Sequence, residues 1–210
     1  MAELITGIDP ERVRANLERV REHAGEGVEV LAATKYVPLE EMGALADAGV
    51  RLVGENRLQD LEAKHERWGD AFTWDFIGNV QSRKVKRIVP LVRLIHSLAS
   101  DSAMRQLEAH AEADTEVLVE VNLAGEQSKG GVEPGELGAF IERCPVTVAG
   151  LMTMPPFAQD PEASRPYFAR LAGLAREHRL ERLSMGTSQD WEVAVAEGAT
   201  IIRLGTVLYS

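Results

Sequence analysis

The stretch Val28-Glu29-Val30-Leu31-Ala32-Ala33-Thr34-Lys35 is a short aliphatic and β-branched run that ends on a lysine, and it reads as a buried strand. Seven further runs of this kind follow, at 51–56, 72–78, 93–99, 116–123, 146–154, 182–187 and 200–208. Stretches of helical periodicity separate them. Ahead of the first run, Asp9 suits an N-cap and Pro10 the first helical position. Val13, Leu17, Val20 and Ala24 then form one face, and Gly25 ends the helix. Pro38, Asp101, Pro134 and the region of Pro166 open later helices, and a last one is expected from Ser188 to Gly198. The order is one helix, then strand–helix repeats, ending on a strand. Such connections are long enough only for parallel pairing. Eight parallel strands predict an α/β fold: a closed (β/α)8 TIM barrel with an extra N-terminal helix. A doubly wound open sheet is the alternative. It usually carries a Gly-rich phosphate loop after its first strand, and no GxGxxG or Walker pattern occurs here.

No Pro/Ser-rich linker divides the 210 residues, so residues 1–210 read as a single domain, and 45% hydrophobic content is ordinary for a globular chain. The balance of 23 Lys and Arg against 33 Asp and Glu gives a net charge of −10. That excess disfavours nucleic acid and anionic membranes as partners, although a small anion needs only a local positive site. Cys144 is the lone cysteine, which fits a reducing compartment. The five histidines are scattered and no zinc spacing exists, so no metal site is expected. No apolar stretch approaches a membrane span, and the first residues lack a signal-peptide pattern. The expectation is a cytoplasmic protein.

In a barrel of this type the chemistry lies at the carboxyl ends of the strands. Alternation places Lys35 on the same side as Ala33 and Leu31, toward the barrel interior. A lysine in an apolar mouth would have its ammonium disfavoured, and a neutral amine attacks carbonyls. Phosphates in barrels often bind after strands seven and eight. Here those positions hold Gly186-Thr187-Ser188 and Gly205-Thr206. Ser188 is read as capping a helix, with Asp190 and Glu192 required to point away from an anion. Arg203 shares the inward side with Gly205 and needs a partner, either an acid such as Glu120 or a ligand atom. One ligand uses all three features: a phosphorylated aldehyde with a heteroaromatic nitrogen, pyridoxal 5′-phosphate (PLP).

Seven segments in order carry a family resemblance. They are Leu31-Ala32-Ala33-Thr34-Lys35, Val53-Gly54-Glu55-Asn56, the Trp74-Asp75-Phe76-Ile77-Gly78-Asn79 segment running on to Lys84, Val121-Asn122 with the Glu126-to-Gly131 loop, Gly150-Leu151-Met152, Leu183-Ser184-Met185-Gly186-Thr187-Ser188-Gln189-Asp190, and Ile202-Arg203-Leu204-Gly205-Thr206. On these the chain resembles the pyridoxal phosphate homeostasis protein family, itself related to the N-terminal barrel of alanine racemases. The resemblance implies PLP held as a Schiff base on Lys35, with Arg203 facing the pyridine nitrogen. It implies that Ser188, Gly205 and Thr206 hold the phosphate and that Asn56 lies beside the cofactor. It also implies a part in intracellular vitamin B6 balance without established turnover. The chain departs from the family at Asp75, where histidine is more common. Lys129 is a second candidate to take the aldehyde, against a solvated loop as the plainer reading. Met152 and Met154 read as barrel packing.

Three function classes compete, of which a lysine-imine aldolase shares the lysine but gives no reason for an arginine facing a ring nitrogen. The second is a monomeric PLP carrier or regulator with PLP-dependent apoenzymes as recipients. The third is a PLP-dependent amino-acid racemase, which needs a proton donor or acceptor on each face of the carbanion. Lys35 serves one face, and the chain has no residues left for the additional β domain that supplies the other in alanine racemases.

Overall fold

The computed structural model describes residues 4–125 and 130–210. Eight parallel strands, each paired with the next and the last with the first, close a barrel. They are β1 (Glu29–Ala33), β2 (Leu52–Glu55), β3 (Thr73–Phe76), β4 (Leu94–Leu98), β5 (Glu116–Glu120), β6 (Thr147–Met152), β7 (Arg182–Thr187) and β8 (Ile201–Leu204). The helices are α1 (Pro10–Ala24), α2 (Met42–Asp47), α3 (Leu58–Trp68), α4 (Val85–Ile88), α5 (Asp101–His110), α6 (Leu137–Glu142), α7 (Arg165–Glu177), α8 (Trp191–Ala196) and α9 (Thr206–Tyr209). The (β/α)8 expectation therefore holds, and the extra N-terminal helix is α1.

α1 forms as its sequence dictates. Asp9 accepts the Glu11 N–H, Pro10 takes the first helical position, and Gly25 closes the end with its N–H on the Arg21 carbonyl. Its face of Val13, Leu17, Val20 and Ala24 is buried. Asn16, on the same helix, donates to the carbonyls of Leu208 at 3.1 Å and Ser210 at 3.0 Å, tying the N-terminal helix to α9.

Strand alternation sorts the core into two layers. Val30 and Ala32 join the large cluster between sheet and helices. Leu31 packs with Leu94, Leu118, Met152 and Ile201 in the barrel interior, which is filled with apolar side chains as in other barrels of this kind.

Two boundaries near the C-terminus differ from expectation. The run at 200–208 is a strand only to Leu204, because Gly205 turns the chain into α9. The helix expected from Ser188 begins at Trp191 instead. Asp190 Oδ1 accepts the Thr187 N–H at 2.7 Å and the Thr187 hydroxyl at 3.0 Å, which closes residues 187–190 into a turn and delays the helix.

Candidate functional site

One cavity of about 490 Å³ opens at the carboxyl ends of the strands. Lys35, Asn56, Ser188, Arg203, Gly205 and Thr206 all line it, so the fold brings every site residue expected from the sequence to one place. Ile77, Met152 and Ala33 supply apolar wall, Tyr36 and Ser97 add polar groups that sequence reasoning did not assign to the site, and Glu120, named from the sequence only as a candidate partner of Arg203, joins them.

Lys35 stands two residues beyond β1, in a turn rather than on the strand. Its side chain is exposed, with Nζ 5.1 Å from the centroid of the Tyr36 ring. The apolar enclosure expected for it is therefore absent, because the strand ends before the lysine and carries it to the rim. The backbone leading to it is held firmly. Tyr209 Oη donates to the Ala33 carbonyl at 3.1 Å, and Lys64 Nζ donates to the Thr34 carbonyl at 2.8 Å. Thr34 Oγ1 and Lys64 Nζ both donate to Glu55 Oε1, at 2.7 and 2.5 Å. Glu55 is fully buried and Lys64 nearly so, making this a buried ion pair behind the lysine. Burial, and after it the Glu55 charge, pushes the Tyr209 phenol far above its ordinary range, so it stays a donor.

Asn56 follows β2. Its Oδ1 is buried without a hydrogen-bond partner. Gly78 makes its position possible: a Cβ there would stand 2.1 Å from the Asn56 carbonyl oxygen.

Ser188 does not cap α8, the helix that follows it. Its Oγ accepts the N–H of Gly205 at 3.0 Å and of Val207 at 3.4 Å, which leaves its own proton to donate elsewhere. Thr206 is the first residue of α9, and the leading N–H groups of a helix have no partner within it. Asp190 points away from the cavity, as an anion site there requires, onto Thr187 and the Ser164 hydroxyl at 2.7 Å.

Arg203 is 6% exposed and forms the inner wall. Its hydrogen bonds go to neutral acceptors: Ser184 Oγ at 2.5 Å, the Thr153 carbonyl at 3.0 Å and Met154 Sδ at 2.8 Å. No direct ion pair with Glu120 forms, contrary to one of the sequence alternatives, and Glu120 acts only through its field. Burial lowers the guanidinium to about 10, while the Glu120 and Asp190 charges favour its cationic form. Burial raises the Glu120 carboxyl, and Arg203 partly opposes this. Met154 is 46% exposed, so it belongs to the cavity rim rather than to packing, whereas Met152 is buried as expected. Lys129 lies outside the described residues. Among the described residues no group of three or more His, Cys, Asp or Glu side chains is placed to hold a metal, and no helix is long and apolar enough to cross a membrane.

A barrel with this lysine, arginine and pair of strand-end turns defines a class of protein: the profile of the alanine racemase N-terminal domain matches residues 8–210. The pyridoxal phosphate homeostasis protein of Aquifex aeolicus is 42% identical, across 95% of this chain and 96% of its own. PipY of Synechococcus elongatus, solved with PLP bound, superposes with a TM-score of 0.82 at 30% identity, covering 94% of this chain and 100% of that one. Alanine racemase of Corynebacterium glutamicum shares the fold, with a TM-score of 0.73 at 16% identity, over 96% of this chain and 61% of that one. The chain belongs to the pyridoxal phosphate homeostasis protein family.

Proposed function

We propose that this protein binds PLP, holds it through Lys35, and acts in intracellular vitamin B6 balance without enzymatic turnover. The observation that carries the reading is the convergence of Lys35, Asn56, Ser188, Arg203, Gly205 and Thr206 on one cavity. The residues fit the group. Asn56 Oδ1 is a buried acceptor without a partner, and a Cβ at Gly205 would meet only Ser188 Oγ, at 4.0 Å, so its absence leaves room for an oxyanion. When bound, PLP supplies an aldehyde that a primary amine can take and a ring that can accept electrons.

The residues divide the work. Lys35 would offer the primary amine that takes the aldehyde. Ser188 and Thr206 offer hydroxyl and backbone donors to the phosphate, and Arg203 presents donors to the ring nitrogen. The exposure of Lys35 suits a carrier, because it leaves the site open to a recipient such as a PLP-requiring apoenzyme. The described cavity is lined within one chain, so a monomer suffices. The cytoplasm, where Cys144 stays reduced, is the compartment we assign. The names of the relatives, which describe homeostasis rather than a reaction, support the absence of turnover.

One observation favours the racemase alternative. Glu120 lines the same cavity, and burial raises its carboxyl, so it can carry a proton there. Titration of the purified protein with PLP, followed by absorbance, tests binding, and a spectrum identical to that of free PLP overturns it. A panel of L-amino acids with the loaded protein then tests turnover. We expect no steady racemisation or keto-acid formation. Sustained racemisation that Lys35→Ala abolishes would show an enzyme.

A further inference from the structure

Three fully or almost fully buried polar side chains have no part in the cavity wall: Asp75 on β3, His96 on β4 and Ser184 on β7. They are joined to one another. His96 Nε2 lies 3.0 Å from Asp75 Oδ2, and His96 Nδ1 lies 2.8 Å from Ser184 Oγ. Ser184 Oγ lies 2.5 Å from Arg203 Nη1. At the far end Arg93 grips Asp75 with two bonds, at 3.0 and 2.8 Å, and reaches Glu29 at 2.5 Å. The array crosses the barrel interior and ends on the arginine of the cavity.

Its donor direction follows from the groups themselves. A carboxylate only accepts, so His96 Nε2 carries the hydrogen toward Asp75. Burial lowers the imidazole, with the Asp75 contact opposing it, so the ring is neutral and Nδ1 is an acceptor. Arg203 only donates, so Ser184 Oγ accepts from it and donates its own hydrogen to Nδ1. Every link has one orientation, running from Arg203 to Asp75.

Packing alone does not call for this arrangement. Leu31, Leu94, Leu118 and Ile201 fill the neighbouring interior without polar atoms, and apolar residues of similar volume often replace a buried ionic group at no loss of stability. What the array adds is a fixed guanidinium. With Nη1 locked on Ser184 and Nη2 on Thr153 and Met154, Nε makes none of these bonds.

We infer that Asp75, His96 and Ser184 are positioning residues that orient Arg203 toward the ring nitrogen of bound PLP. This rests on the PLP reading above. The test compares PLP with its deaza analogue, in which a C–H replaces the ring nitrogen, by equilibrium titration. The unsubstituted protein should prefer PLP by about tenfold or more, as a charge-assisted hydrogen bond implies. Ser184→Ala should remove most of that preference while leaving the affinity for the deaza analogue unchanged. Ser184→Thr, which keeps the hydroxyl, should restore it, and in an Arg203→Lys background Ser184→Ala should add no further loss. His96→Gln provides a second break in the array if Ser184→Ala does not fold. Equal loss for both ligands, or no loss, makes the array structural and overturns the inference while PLP binding stands. Equal binding of both ligands by the unsubstituted protein overturns the ring-nitrogen role of Arg203 and the inference with it. Failure to bind PLP at all overturns the functional reading itself.

Discussion

Ser188 Oγ accepts the backbone N–H of Gly205 at 3.0 Å, so the turns leaving β7 and β8 share one hydroxyl at the edge of the cavity. With Val207 N–H also on that oxygen, the Ser188 proton is free to meet an anion. PLP should therefore bind far more tightly than pyridoxal, which lacks the phosphate, and Ser188→Ala should narrow the gap by about tenfold. Competition titrations of the two aldehydes measure it. Equal affinities in the unsubstituted protein would place the phosphate elsewhere.

Gly205 separates binding from folding. Its φ of −119° lies outside the left-handed region, and an added Cβ meets only Ser188 Oγ, at 4.0 Å. Gly205→Val should keep a thermal midpoint close to that of the unsubstituted protein yet lose PLP affinity by about tenfold or more, because the side chain fills the cavity edge. Thr206→Ser keeps the hydroxyl and the backbone, and its affinity should stay within about twofold. The reverse order of the two variants contradicts the phosphate assignment.

The pair Lys64–Glu55 predicts a stability effect. Lys64→Met removes the cation from a fully buried carboxylate and from the Thr34 carbonyl. Breaking such a pair from one side costs about 3–5 kcal/mol. Lys64→Met with Glu55→Leu removes both charges and should recover most of the loss in denaturant unfolding. A double variant no more stable than the single one would show that the pair does not act as a unit.

His96 gives stability a pH dependence of definite sign. Burial lowers it from 6.5 in the folded state, so the unfolded chain binds the proton first as pH falls. Its contribution is full above 6.5 and is lost progressively below that value. Burial pushes the Asp75 carboxyl up, but the hydrogen bonds of His96 and Arg93 and the Arg93 charge pull it below 3.8, so its loss has the same sign and begins only in that lower range. The thermal midpoint should fall between about pH 7 and pH 5, and less steeply in His96→Gln. Identical slopes for the two proteins would rule out His96 as the source.

The fold was legible because strands and helices alternate with clear punctuation, and Asp9, Pro10 and Gly25 mark the first helix as they do in the structure. Arg203 was legible because alternation along β8 assigns its face without knowledge of packing, whereas Lys35 and Gly205 lie past the ends of β1 and β8 and were legible only from their place at the carboxyl ends of the strands. What escaped were partnerships between residues distant in sequence. His96 finds Ser184 only after the barrel closes, Ser188 finds Gly205 when β7 and β8 pair, and Lys64 finds Glu55, nine residues away, when α3 packs on β2. The Asp190 turn that delays α8 escaped for a related reason: Asp190 is as good a helix-start signal as a turn former, and its bond to the Thr187 N–H decides between them.

The central claim is that Lys35 holds PLP. Borohydride reduction of the PLP-loaded protein fixes the group to whichever amine carries it, and mass mapping of the peptides reads the position. The account predicts the label on Lys35, with the absorbance of the bound form lost in a folded Lys35→Ala variant. Label chiefly on Lys129, or on any other lysine, would contradict it.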